Sequence, residues 1–369
     1  MGHFIGYNGF FKGYDENHKA DCKNLFTFNL INKNNMDLRP EIIERIKLLD
    51  EKYQLMGQSL ENYLDGLLLS NYLTYWDYTN VDKLLTLQTP KTDFPDELIF
   101  IIYHQITELY FKLSLHEMEQ IANNGRNVLK NGEDKGWKEK LDKDFFVARI
   151  TRINRYFESL TKSFAIMIDG MEKEQFLSYR MALLPASGFQ SAQYRKLEIC
   201  STDMFNLVDK DVRAKFEGKN ASIEEMYEHI YWKQGATELA TGKKTLTLMQ
   251  FEKKYSAEFI ALAKEHQNKN LWAKYKSLSK EDQQDEKVLQ ALRQLDVNVN
   301  VNWPLVHYKS AARYLGNDNS DVPATGGTNW QKYLPPRFQK RIFYPELWSK
   351  QETEEWGKAW VEEVRAKKF

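Results

Sequence analysis

The sequence predicts an all-α protein, and two observations carry that prediction. Apolar residues recur every three to four positions through several long segments, which is the period of a helix buried on one side. Strict alternation, the mark of a half-buried strand, is confined to "VNVNVNW" at 297–303. A chain of 369 residues with this pattern is long enough to bury a large helical core.

Taken in order, residues 1–38 mix Gly, Asn and Phe without a steady period and read as an aromatic-rich N-terminal arm, followed by a helical domain over 39–369. From Pro40 to about Ser70 the apolar spacing is helical. A turn-rich connector follows, with a short helix near 80–88. The next helix is expected from Pro95 to Ala122, with Asp93 as its cap, Asp96 and Glu97 at its positive end and "NNG" at 123–125 as its stop. At about 1.5 Å per residue it is roughly 40 Å long. "WKEKLDKDFFVARITRINRYFESLTKSFAIMIDGM" gives a second long helix, with Phe145, Ala148, Ile153, Tyr156, Leu160, Phe164 and Ile168 along its stripe. Further helices are expected after Ser187 and over 222–233, 244–267 and 280–297, and "ETEEWGKAWVEEV" places Trp356, Trp360 and Val364 on one face.

Charge and composition exclude several classes. Fifty-two basic residues balance 52 acidic ones, interspersed rather than blocked, so no global field favours nucleic acid or an anionic membrane. Aromatics reach 14%, which suits an aromatic-lined pocket, a large interface or simply a well-filled core. Cys22 and Cys200 are the two cysteines and form no CxxC, so a disulfide framework, a zinc ribbon and covalent haem attachment lack support. The start "MGHFIGYNGF" has neither a basic nor an apolar leader region, and the longest apolar run, Leu98–Tyr103, is too short to span a bilayer. A cytoplasmic protein is expected.

The usual catalytic constellations fail one by one. "HEMEQ" at 116–120 lacks the second imidazole of a zincin, having Gln120 in its place. His104 and His116 fall on faces about 120° apart on one helix, too distant to share a metal. "GATELATGKKT" at 235–245 has the wrong glycine spacing for a phosphate loop and Lys244 where Ser or Thr is required. Single polar residues in apolar settings remain. His104 shares a helical face with Phe100, Thr107, Glu108 and Phe111, while His116 falls nearer Leu109 and Leu113. Alone, His104, His116 and His307 are more often satisfied core or boundary histidines than site residues, Arg195 more often an ion-pair partner, and "ATGGTNW" at 324–330 more often a turn.

In order along the chain these residues gain meaning, because they resemble the tryptophan 2,3-dioxygenase family. The segment "YWDYTNVDKLLTLQTPKTDFPDELIFIIYHQITELYFKLSLHEM" is similar to one family block and "SGFQSAQYR" to a second. "WPLVHYKSAARYLG" with "ATGGT" is similar to a third, and "YPELW" at 344–348 to a fourth. The resemblance covers about residues 72–348. It implies the large single helical domain of the haem-dependent tryptophan and indoleamine dioxygenases, and it favours a helical reading of "VNVNVNW".

The resemblance also implies roles. His307 is the expected proximal ligand of a b-type haem, ferrous in the active form, with the opposite face left for O2. His104 is expected on that distal side, accepting a hydrogen bond from the indole N–H of L-tryptophan, with Phe100 packed on the indole ring. Arg195 is the expected partner of the substrate carboxylate, Thr325 that of the ammonium or carboxylate, and Tyr75 and Tyr78 are expected to reach a neighbouring subunit's site in a homotetramer. Where the sequence departs from the family pattern, Pro304 is expected to kink the helix just before the ligand. The implied reaction is cleavage of the indole C2=C3 bond by O2 to N-formylkynurenine, the first step of tryptophan degradation through kynurenine. Two rivals stand beside it: on the same scaffold, an oxygenase of a modified tryptophan or other indole, and, from a different class, a haem-binding or sensing protein without turnover.

Overall fold

The computed structural model describes residues 38–70, 73–125, 140–184, 186–237, 243–316, 331 and 334–358. They fall into two compact units, one ending at Leu84 and the other starting at Leu85. The expected arm, residues 1–38, lies outside the described residues except for its last position.

In the first unit, the helical segment expected over 40–70 is two helices, α1 (Pro40–Leu55) and α2 (Leu60–Leu69). Pro40 opens α1, where its missing N–H costs nothing, and Gly57 breaks the run with a backbone φ of +66°. A short helix, Tyr75–Thr79, follows, capped by the Thr74 hydroxyl. Most of the leucines of α2 are solvent-facing, Leu68 being 76% exposed.

The second unit is organised on α3 (Asp96–Ala122), α4 (Lys143–Ser163), α5 (Ala165–Asp169), α6 (Lys173–Tyr179), α7 (Ala192–Ser201), α8 (Tyr231–Gly235), α9 (Leu246–His266), α10 (Glu286–Val297) and α11 (Trp303–Leu315), with shorter turns between them. Asp93 does not cap α3. The buried Glu97 carboxylate in the first turn instead ties down the preceding loop, accepting from the Lys91 and Thr92 amides at 2.7 and 2.8 Å and from the Thr92 hydroxyl at 2.6 Å. At the other end Asn124 and Gly125 turn left-handed, as "NNG" predicts, and the Gly125 amide closes on the Gln120 carbonyl at 2.7 Å.

The face that α4 buries differs from the expected stripe. Phe146, Ile150, Ile153, Phe157 and Leu160 face the core, whereas Phe145 and Tyr156 are half-buried and Ala148 is exposed. Adjacent Phe145 and Phe146 open two competing stripes, and only the one from Phe146 continues without interruption at spacings of three and four. Phe146→Ala should therefore cost about 3–5 kcal/mol in urea unfolding and Phe145→Ala less than half of that. Equal losses would return the helix to the expected register.

"VNVNVNW" is helical. Asn298–Asn302 forms a π-helical turn leading into α11, and Val299, Val301, Asn298 and Asn300 are all buried. The period of two is not an inside–outside alternation. The asparagines are buried because a hydrogen-bond chain satisfies them: Asn298 donates to Asn154 at 3.1 Å, Asn302 to Asn298 at 3.0 Å and Asn300 to Asp296 at 2.6 Å. Toward the C-terminus Trp356 packs on Trp348, as a buried tail residue should, while Trp360 and Val364 lie outside the described residues. Among the described residues no helix is long and apolar enough to cross a membrane.

Candidate functional site

Helices α3 and α11 each present one histidine to aromatic residues from α6 and from the junction between α4 and α5. On α3, the rings of Phe100 and His104, four residues apart, lie 4.1 Å between centroids, and Phe100 also meets Phe176 and Tyr179 of α6 at 6.4 and 6.1 Å. On α11, His307 lies 4.4 Å from Trp303 and 4.5 Å from Phe164, the residue joining α4 to α5. The Tyr314 hydroxyl pins α11 to the segment between α4 and α6 through the Ile168 and Met171 carbonyls at 3.0 and 3.1 Å, and the Tyr314 ring lies tilted 4.7 Å from Phe176.

Both histidines are prepared in the same way. Nδ1 of His104 contacts the Phe100 carbonyl at 2.7 Å and Nδ1 of His307 the Trp303 carbonyl at 2.8 Å. A carbonyl can only accept, so each Nδ1 carries the proton and each Nε2 keeps its lone pair. Burial favours the neutral form of both: it lowers the pKa of His104, and it drives that of His307 down to about 4. The two imidazoles are close enough that charge on His104 further opposes protonation of His307.

A pH dependence follows with a definite sign. Between pH about 6.5 and 4 the unfolded chain protonates His307 and the native chain does not, so stability is lost as pH falls through that window. The melting temperature of the protein without added haem should drop across it, and His307→Phe should flatten the slope. An unchanged slope in His307→Phe would show that other groups carry it.

Among the described residues no group of three or more His, Cys, Asp or Glu side chains could hold a metal ion. A neutral imidazole with a free Nε2, its Nδ1–H fixed by a backbone carbonyl and its ring packed between aromatics, has the chemistry a proximal haem ligand requires. The residues present fit haem.

Arg195 directs its hydrogen bonds to a network that includes neither histidine. Its guanidinium is 8% exposed and its Nη1 donates to Glu198 at 2.9 Å and to the Tyr231 hydroxyl at 2.7 Å, within a buried network completed by Arg341. Phe189, Tyr194, Tyr231 and Trp232 surround it at 5.2–5.9 Å from their centroids. The carboxylate that Arg195 meets in this structure is Glu198, three residues along its own helix. A second buried arginine directly follows α6. Arg180, also 8% exposed, stands four residues after Phe176 on backbone that continues the helical turn of α6, so it shares the face that packs on Phe100. Burial lowers its pKa. The signal was present in "FLSYR" as an aromatic and a guanidinium at helical spacing, but nothing local says that this face meets Phe100.

Thr325 lies outside the described residues. Tyr75 and Tyr78 belong to the first unit and are 72% and 76% exposed. His116 is exposed on α3 and takes no part in the site.

A family profile described as Tryptophan 2,3-dioxygenase matches residues 67–302, a span that includes Phe100, His104, Arg180 and Arg195 and ends before His307. The chain is 36% identical over 126 residues to the tryptophan 2,3-dioxygenase of Ruegeria sp. (strain TM1040), covering 34% of this chain and 40% of that protein. It is 37% identical over 126 residues to the enzyme of that name from Pseudomonas fluorescens, covering 34% and 39%. With the Xenopus laevis tryptophan 2,3-dioxygenase it shares 36% over 131 residues, 34% of this chain and 30% of that one. These alignments span less than half the length of each relative.

Proposed function

The chain belongs to the tryptophan 2,3-dioxygenase family, and on that premise we propose that it is a haem-dependent dioxygenase that cleaves the indole C2=C3 bond of L-tryptophan with O2 to give N-formylkynurenine. One observation carries the proposal: two neutral imidazoles, each with Nδ1–H spent on its own helix and Nε2 free, placed near each other on α3 and α11. Two such acceptors have different partners available, iron for one and an indole N–H for the other.

His307 would hold b-type haem through Nε2. When bound, ferrous haem supplies the activation of O2. His104 accepts the indole N–H on its Nε2, which orients the ring without taking its proton. Phe100 packs on the indole face, one helical turn away. Arg180 is our candidate for the substrate carboxylate, since a planar guanidinium on the Phe100 side can engage both carboxylate oxygens. Thr325 is retained as a partner of the amino-acid group. The aromatic wall of Phe164, Phe176 and Tyr179 excludes water, so positioning is the protein's share of the reaction.

The apolar side chains exposed in the first unit, with Tyr75 and Tyr78 among them, support a homotetramer in which these tyrosines serve a neighbouring subunit's site. Residues 39–369 act as one haem-binding domain in this reading, in the cytoplasm. Anaerobic reduction followed by L-tryptophan and air should yield N-formylkynurenine, read by its absorbance. Consumption of a substituted indole with none of L-tryptophan would move the assignment to a related oxygenase. A haem-loaded protein that consumes neither would be a sensor.

A further inference from the structure

The π-helical turn before α11 is held from outside. Its closing bond runs from the Trp303 amide to the Asn298 carbonyl, five residues back. In the same pattern the Val299 carbonyl would look to residue 304, which is Pro304 and has no N–H. That carbonyl is instead taken by two side chains, the Tyr194 hydroxyl at 3.1 Å and Arg341 Nη2 at 3.1 Å. The two donors are themselves joined, Arg341 Nη2 to the Tyr194 oxygen at 2.7 Å. Arg341 also donates through Nε to the Asn300 side chain and through Nη1 to Glu198 and Tyr231, so one buried guanidinium grips two consecutive residues of the turn.

Arg341 is fixed in turn. The residues after it dock on Asp296, which accepts from the Phe343 and Tyr344 amides at 2.9 and 3.2 Å and from the Trp348 indole at 3.0 Å. Downstream, the Trp303 that closes the π turn is the residue whose carbonyl receives His307 Nδ1–H. If the turn relaxed to ordinary α-helix, Val299 would recapture the Trp303 amide and α11 would rotate by about 100°, the step of one residue.

We propose that Arg341, with Tyr194, is a positioning latch: by occupying the carbonyl that Pro304 leaves open it holds the π turn and so aims His307. The inference rests on reading His307 as the haem ligand. Arg341→Met in the haem-loaded protein should speed haem loss to an acceptor globin by about tenfold, in the range for lost supporting contacts to a metal ligand, and should shift the iron–histidine stretching frequency. Glu198→Gln weakens the same buried network without touching the Val299 carbonyl. It should lower the melting temperature and leave the frequency unmoved, and Arg341→Lys should rescue little.

If Arg341→Met does not fold, Tyr194→Phe carries the test, removing one hydroxyl; about twofold faster haem loss with a shifted frequency supports the latch. Haem loss that follows melting temperature alike in all variants, with one common frequency, overturns it. If the wild type takes up no haem on His307, the reading of the site fails separately. The latch is then decided by the ¹⁵N imidazole shifts of His307, which should leave the Nδ1–H pattern in Arg341→Met or Tyr194→Phe; unmoved shifts would refute it.

Discussion

His307→Ala yields a folded protein that purifies without a Soret band and turns over no L-tryptophan. The expectation rests on the tautomer: with Nδ1–H committed to the Trp303 carbonyl at 2.8 Å, only Nε2 can bind iron, and alanine offers nothing in its place. The fold survives because the imidazole is only partly enclosed, by Trp303 and Phe164, and its loss should cost about 1–3 kcal/mol. Imidazole added to solution should restore part of the band by entering the space left open. His104→Ala is the matched control, since His104 has the same free Nε2. It should keep the band and raise KM for tryptophan, because it removes the acceptor for the indole N–H and not the iron ligand. A band that persists in His307→Ala and vanishes in His104→Ala would exchange the two roles.

The helical class and the extent of α3 were legible in the residues, because local rules settle both: an apolar stripe of helical period, acidic residues at the start and a left-handed stop. What escaped was set by tertiary partners. Phe145 and Phe146 offer equal local arguments, and the choice falls to what α3 and α10 present to α4. The alternation of "VNVNVN" mimicked a strand because the partners that make buried asparagines acceptable, Asn154 and Asp296, lie on other turns. Pro304 was expected to kink the helix; directly before it the chain forms a π turn, whose Val299 carbonyl is satisfied by a side chain far along the chain. For the site, "FIIYHQ" placed Phe100 and His104 correctly on one face, since that is a matter of spacing. For Arg195, Glu198 stood in view three residues on, the spacing at which helical ion pairs form, and the structure pairs the two.

The two arginines can be told apart by the kind of loss each produces. Arg195→Met should lower stability by roughly 2–4 kcal/mol, toward the lower end for breaking a buried ion pair, because Arg341 still neutralises Glu198. The protein that remains folded should bind tryptophan with near-normal KM, since the lost guanidinium met Glu198 and Tyr231. Arg180→Lys should do the reverse. It keeps the charge, so melting temperature changes little, but it gives up the planar two-pronged donor, and kcat/KM for L-tryptophan should fall by about 10- to 100-fold, equal to about 1.4–2.7 kcal/mol of transition-state binding. Indole analogues without a carboxylate sharpen the comparison: Arg180→Lys should bind them as the wild type does, because nothing on such a ligand reports the substitution. A raised KM in folded Arg195→Met with a normal one in Arg180→Lys would return the carboxylate to Arg195 and require Glu198 to yield its partner when substrate enters. The cost of that exchange is what argues against it. Glu198 is buried and already engages two guanidiniums and a tyrosine hydroxyl, so a substrate carboxylate could take Arg195 only by displacing hydrogen bonds already made there, Arg195 to Glu198 at 2.9 Å and to the Tyr231 hydroxyl at 2.7 Å.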